Sequence, residues 1–230
     1  MKKINTLATF VALILTLTSC QKTAVVSVAA VDSFIKVIRN PADTSKLIYG
    51  LVNSVFSYNT MISAKVITPD SATIQLTDFS SSGNSLYKMP SDLEFKSAVP
   101  TSGNYAYTVN FKDGETTTYT NSVSPSTLEP VRIVSLVKSA GADSVILSWK
   151  ANTNAQAYSL KITCGPNQVY FQNPFTDNSG NGVLKLGFPI TNAIFSVRGT
   201  YTFEIDDLLF ESTDMTSIQS VGAAKKDIAL

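Results

Sequence analysis

Tyr105-Ala106-Tyr107-Thr108-Val109-Asn110-Phe111 alternates large apolar side chains with small or polar ones at every step. A period of two puts each set on its own face of an extended chain, so the stretch reads as a half-buried β-strand. Asp113-Gly114 follows with the residue types that a tight hairpin needs at positive φ, and Thr116 to Tyr119 return as the partner strand. Outward from this hairpin, turn signals recur at short spacing: Pro69-Asp70-Ser71, Ser81-Ser82-Gly83-Asn84, Pro100-Thr101-Ser102-Gly103, Gly141-Ala142-Asp143, Gly165-Pro166-Asn167 and Asn178-Ser179-Gly180-Asn181-Gly182. Between them lie short runs rich in β-branched and aromatic residues, the rhythm expected of an all-β sandwich or barrel. One segment is ambiguous. Val28, Val31, Phe34, Ile35 and Ile38 fit a helical face, whereas Phe34-Ile35-Lys36-Val37-Ile38 alone fits a strand, and Pro41 ends either; a first strand is the preferred reading.

Ser124-Pro125-Ser126-Thr127-Leu128-Glu129-Pro130 has two prolines and no alternating pattern, so it reads as a linker between two domains. The halves on either side resemble each other. Gly103, Tyr105, Tyr107 and Val109 stand 96 residues before Gly199, Tyr201, Phe203 and Ile205, and in the same register Ile62, Ala64 and Val66 meet Tyr158, Leu160 and Ile162. Two matches in one register point to a duplicated unit of about one sandwich in length. The expected organisation is a leader over 1–19, a tether and first strand over 20–44, one sandwich over 45–123, the linker over 124–130, and a second sandwich over 131–230.

The second half carries a more specific resemblance. Asp143-Ser144-Val145-Ile146-Leu147-Ser148-Trp149, followed by Ala157-Tyr158-Ser159-Leu160-Lys161-Ile162, resembles strands B and C of a fibronectin type III domain. Gly199-Thr200-Tyr201-Thr202-Phe203-Glu204-Ile205 resembles that family's strand F with its core tyrosine. The resemblance implies a tryptophan-centred sandwich core. The first half lacks the tryptophan and is similar to immunoglobulin-like or fibronectin-like domains in general. Such sandwiches host many unrelated functions, so the resemblance implies a fold and no activity.

At the amino terminus, Lys2 and Lys3 precede the apolar run Leu7 to Leu17, which has signal-peptide proportions and is too short to span a bilayer as a helix. Leu17-Thr18-Ser19-Cys20 then resembles the bacterial lipobox. That resemblance implies cleavage before Cys20, a diacylglycerol on its thiol and a third acyl chain on its new amine, together a stable membrane anchor. Residue 21 is Gln rather than Asp, so the resemblance carries no inner-membrane retention signal; the outer membrane of a Gram-negative bacterium is the expected location. No acidic run follows Cys20, which gives surface display no support and leaves the periplasmic or external face open.

Without residues 1–19 the chain holds 16 Lys+Arg against 17 Asp+Glu, a net charge near −1. Such a balance argues against nucleic acid, whose binding draws most of its affinity from basic patches. The expected partners are the membrane, through the lipid, and an envelope protein or glycan. No cofactor other than the covalent lipid is expected. There are 0 His, which excludes Ser-His-Asp and Cys-His nucleophile activation and His-ligated metal sites. With Cys20 lipidated, Cys164 has no disulfide partner and reads as a half-buried, inert thiol. Asp206 and Asp207 are adjacent on a strand and point to opposite faces, so they do not converge on one substrate atom; solvation at a strand end is the default. Asp177-Asn178-Ser179-Gly180-Asn181-Gly182 matches the start of a calcium loop, but Phe188 stands at the twelfth position where Glu belongs, so a plain loop is preferred. These readings describe a non-enzymatic envelope lipoprotein serving as a binding, adhesion or spacer module. A glycan-binding alternative rests on Tyr170, Phe171 and Phe175, which with Tyr87 have the residue types of a sugar-stacking platform or an interface patch; core packing or burial between domains is the preferred reading, because alternation places at least one of each adjacent pair inward.

Overall fold

The computed structural model describes residues 26–230 apart from 79–80, 142, 177–181, 192 and 213–214. Cys20 and nearly all of the 177–182 loop therefore lie outside the described residues. The first half contains β1 (Ala29–Asn40), β2 (Asp43–Ser57), β3 (Met61–Ile67), β4 (Thr73–Asp78), β5 (Ser85–Lys88), β6 (Gly103–Phe111) and β7 (Thr116–Val123). The second contains β8 (Arg132–Lys138), β9 (Ser144–Lys150), β10 (Ala157–Cys164), β11 (Asn167–Phe175), β12 (Val183–Pro189), β13 (Thr200–Phe210) and β14 (Ile218–Ala229). Two single 3₁₀ turns are the only helical pieces among the described residues.

Both halves pair their strands in the same way. In the first, β1-β2-β5 faces β4-β3-β6-β7; in the second, β8-β9-β12 faces β11-β10-β13-β14. This three-on-four arrangement is an immunoglobulin-like β-sandwich. In the first half β4 also pairs with β5 at Thr77↔Tyr87, which stitches its two layers into one continuous sheet at that edge. Alternation builds the cores: Tyr105, Tyr107, Val109 and Phe111 of β6 are buried in one, and Tyr201, Phe203 and Ile205 of β13 in the other. Trp149 of β9 lies buried in the second core, edge-on to Tyr158 with ring centroids 5.9 Å apart. The 96-residue correspondence extends to a hydrogen bond. Tyr105 Oη donates to the Thr101 carbonyl at 2.7 Å, and Tyr201 Oη donates to the Val197 carbonyl, each four residues upstream. These are tyrosine corners, tying β6 and β13 each to the loop before it. Gly114 takes φ +93° in the β6–β7 hairpin, as its Asp-Gly sequence requires.

The ambiguous segment over residues 28–38 is a strand from Ala29 onward, and a central one. Its odd positions Ile35 and Val37 are fully buried in the first core, while Phe34, Lys36 and Ile38 occupy the opposite face. β1 pairs antiparallel with β2 and also parallel with β14, in the register Ile35↔Ser220 to Ile38↔Ala223. The sheets of the two halves thus merge into one layer, β11-β10-β13-β14-β1-β2-β5. The expected boundary after residue 44 consequently falls inside β2, and the expected tether holds the strand that joins the halves.

The 124–130 segment differs from a free linker for the same reason. Leu128 is only 2% exposed, and its N–H donates to Ser220 Oγ at 3.0 Å. Pro130 lies against Gly222, where an added Cβ would stand 2.9 Å from Pro130 Cα and 2.4 Å from Asp207 Oδ1. Asn152 Nδ2 donates to both the Glu129 carbonyl at 2.9 Å and Asp207 Oδ2 at 2.6 Å. Gly222→Ala forces this packed seam apart and is expected to lower stability by about 2 kcal/mol, the usual cost of overpacking. In urea the native chain should unfold in one transition, with 124–130 resistant to limited proteolysis. The variant should shift the midpoint down and open that segment to cleavage.

Candidate functional site: a cationic cleft at the seam

The parallel junction brings charged side chains from four strands together. With Tyr201, Phe203 and Ile205 turned into the core, alternation sends Glu204 and Asp206 to the opposite face of β13. Cross-strand register sets Lys161 of β10 and Lys225 of β14 on either side of Glu204. Lys36 arrives from β1. Its Nζ lies 2.6 Å from Glu204 Oε1 and 3.9 Å from Asp206 Oδ1, while Lys161 Nζ stands 2.7 Å and Lys225 Nζ 3.6 Å from Glu204 Oε2.

Glu204 is 2% exposed, and such burial disfavours its charge; Lys36 beside it, with hydrogen bonds from Lys161 and Lys36, outweighs that and holds its pKa down to about 2. Burial likewise disfavours the Lys36 ammonium, but Asp206 and Glu204 overcome it and raise its pKa. Asp206 is pushed up to about 6 by burial, against the pull of Lys36. Asp207, fully buried on the other face beneath the 124–130 segment, is pushed up to about 7 by burial. The two aspartates do point to opposite faces, but neither is a solvated strand end.

Beside this cluster a cleft of about 720 Å³ opens where β1 ends and β14 continues. Its walls carry Lys36, Arg39, Arg132, Lys161, Lys225 and Lys226 against the acids Asp92 and Glu204. Arg39 is paired with Glu129 at 2.5 Å on the rim. The other side is apolar, made by Ile38, Ile48, Pro90 and Phe95. The 89–96 segment reaches this place through a two-way backbone bridge between Tyr49 and Lys96, at 2.7 and 3.0 Å, and packs over Gly50. A Cβ at Gly50 would meet Pro90 Cγ at 2.6 Å, so only glycine admits that wall. A chain whose charges nearly balance therefore places six Lys and Arg side chains against two acids in the lining of one partly apolar recess, an arrangement that favours anions.

The aromatic cluster packs largely on the core, the reading preferred from the sequence, and does not form the exposed platform that the glycan-binding alternative needs. Tyr170 packs edge-on to Phe188 with centroids 5.5 Å apart, and Phe175 packs on Trp149 and Tyr158 at 6.4 and 6.0 Å. Phe171 alone is turned outward, half exposed. Strand alternation and a register shift between β10 and β11 draw the other two onto the core. Cys164 is free and half-buried. Among the described residues no group of three or more His, Cys, Asp or Glu side chains is placed to hold a metal. Lys36 and Glu204 were visible in the sequence only as single charges within apolar strands; nothing in the chain marks them as partners 168 residues apart.

No protein-family model matches the chain, and no curated protein matches its sequence. Among solved structures, the human OSCAR ligand-binding domain aligns over 86% of this chain and 98% of its own at 8% identity, with a TM-score of 0.25. Murine CEACAM1b aligns over 86% and 98% at 14% identity and TM-score 0.23. The BSP domain of a biofilm-associated protein aligns over 94% of this chain and 54% of its own at 9% identity and TM-score 0.26. Alignments this loose carry no functional argument, and the fold rests on the strand pairing itself.

Two predictions follow from the charges. Lys36→Met leaves Glu204 buried with weaker partners and should cost about 3 kcal/mol, the low end for breaking a buried pair. A double-mutant cycle with Glu204→Gln should show the two changes to be strongly non-additive in chemical denaturation. The pH dependence has a defined sign. A carboxylate with a raised folded pKa stabilises the fold when protonated, and that contribution is lost as pH rises from about 4 through the folded value; Asp32, Asp206 and Asp207 reach about 6, 6 and 7. Glu204 contributes above about 4.5 and loses its contribution as pH falls toward 2. Thermal stability should therefore rise from pH 8 to about pH 5 and fall below pH 4, and Asp207→Asn should flatten the alkaline limb.

Proposed function

We propose that this protein is a non-enzymatic lipoprotein of the bacterial cell envelope, anchored through Cys20, whose two sandwiches work as one binding module. The second is read as fibronectin type III-like, on the strength of Trp149, Tyr158 and the Tyr201 corner. The observation that carries the binding role is the cationic cleft, about 720 Å³ in size and built only where the halves meet. A spacer would need two rigid domains and no such recess. Against catalysis stand the absence of histidine and the opposed faces of Asp206 and Asp207. The anchor is supported by the lipobox-like Leu17-Thr18-Ser19-Cys20 behind a signal-type apolar run.

Within this reading the ligand is an anion with an apolar flank, and an acidic glycan or an acidic segment of an envelope protein has that chemistry. A glycan partner is no longer supported by aromatic stacking, because Tyr170 and Phe175 pack inward. Its support is the presence of Arg132, Lys225 and Lys226 in the lining of the cleft.

Binding of the protein to polygalacturonate and to a neutral glucan, with Lys225→Ala and Lys226→Ala alongside, tests the cleft. Salt-sensitive binding of the acidic polymer that falls about tenfold in the double variant supports it; equal binding of both polymers, or no effect of the variants, sinks the cleft as the site. Cys20→Ala should abolish fatty-acid labelling and release the protein from membranes, and unchanged membrane association would refute the anchor.

A further inference from the structure

At the end of the first sandwich where the described chain begins, five large apolar side chains stand in solvent. Val26 is 66% exposed, Val28 63%, Phe56 48%, Tyr58 92% and Ile62 67%. Scattered singly, such residues need no explanation, but Val28, Phe56 and Tyr58 are gathered, with Val26 beyond the buried Ser27. The register Ala29↔Ser57 and Ala30↔Phe56 makes Val28 and Tyr58 cross-strand neighbours, and Ser57 Oγ donates to the Val28 carbonyl at 2.7 Å. Phe56 and Tyr58, two residues apart on one face, pack edge-to-face with centroids 5.3 Å apart. Opposite Phe56 stands only Ala30, too small to cover the ring. The Tyr58–Thr60 turn then leads into β3 of the other layer, whose exposed Ile62 is not part of this group.

We infer that this end is a membrane-docking surface: Val26, Val28, Phe56 and Tyr58 rest in the headgroup boundary of the bilayer that holds the lipidated Cys20. The inference rests on the anchor proposed above. Six residue steps separate Cys20 from Val26, and a fully extended chain covers about 3.5 Å per step, so the patch can never stand more than about 20 Å from the anchoring cysteine. At that range the bilayer is the apolar phase permanently within reach. The side chains suit its boundary: valine and phenylalanine enter the acyl edge, while a tyrosine keeps its hydroxyl among the headgroups. The nearest acids are occupied, since Asp113 and Glu115 accept hydrogen bonds from Ser27 Oγ and N–H at 2.8 and 2.9 Å. No basic cluster belongs to the patch, so it favours the boundary through apolar burial rather than through anionic headgroups. β1 runs from this patch to the cleft, and at about 3.3 Å per residue it separates Val28 from Arg39 by roughly 35 Å. Docking would therefore fix the orientation of the module and hold the cleft off the membrane.

The test uses the full lipidated protein in phosphatidylcholine vesicles containing brominated phosphatidylcholine, which quenches indoles in the acyl region. Trp149, buried in the second core, serves as an unquenched internal reference. Tyr58→Trp should add an emission component that is blue-shifted and at least half quenched, whereas Val134→Trp, an exposed position of the second half, should add one that is not. Both positions being solvent-exposed, thermal stability in detergent should be unchanged. Anchored protein with an unquenched indole at position 58, or equal quenching at both positions, overturns the docking and leaves the anchor standing. Protein that carries no lipid on Cys20 overturns both.

Discussion

The parallel pairing of β1 with β14 is the constraint on which the rest of the molecule depends. β1 is a strand of the first sandwich by its core residues Ile35 and Val37, yet its second edge is closed by the last strand of the second sandwich. Once that ladder forms, neither half presents an open edge at the seam, and the seven-residue connection between them must fold back over Gly222 instead of spanning a gap. The partners in this ladder are some 185 residues apart, so nearly the whole chain lies inside the loop that it closes. Such a contact is entropically expensive and is expected to form late.

Polar groups reinforce the seam where apolar packing thins out. Asp32 of β1 accepts the Ile218 N–H at 3.0 Å, and Ser220 Oγ donates to the Ile35 carbonyl at 3.2 Å, so hydrogen bonds fasten both strands at the start of their register. Leu208, Phe210 and Val221 add a small apolar cluster against Phe34 on the same face. Beyond it the Lys36–Glu204 pair takes over. Replacing a buried ion pair with well-packed apolar residues is often harmless to stability, so its value here is better sought in specificity. A one-residue slip of β14 along β1 would put Ser220 or Gly222 in place of Val221 in the cluster with Leu208 and Phe210, which penalises the wrong register.

This arrangement also accounts for where a binding role can sit. The cationic cleft exists because β1 stops at Asn40 while β14 continues to Ala229, leaving a notch that the 89–96 segment and the start of β8 wall off. Cations from both halves line it, so a ligand there would sense the junction directly. A rigid seam, with an apolar end near the chain's amino terminus and a charged recess at the far end of the same strand, gives the module a defined polarity.

Much of the architecture was legible from local chemistry. The alternation of Tyr105 to Phe111 and the Asp113-Gly114 turn follow from the period of two and the backbone needs of tight turns, the buried tryptophan was implied by the resemblance of its strand to a fibronectin type III strand B, and the 96-residue correspondence reappears as matching tyrosine corners. Those features are encoded within a few residues of one another, which is why sequence alone determined an all-β pair of sandwiches. What only the tertiary structure decided are the relations between distant strands. Lys36, Lys161, Glu204 and Lys225 look like ordinary outward charges until β1 meets β14, and Leu128 looks like a linker residue until Ser220 comes to lie beside it. Alternation required some of Tyr170, Phe171 and Phe175 to turn inward, but the register of β11 on β10 decided that Phe171 is the exposed one. The period of a strand sets which residues share a face, but which other strand lies alongside is a long-range choice, settled by the packing of the whole chain.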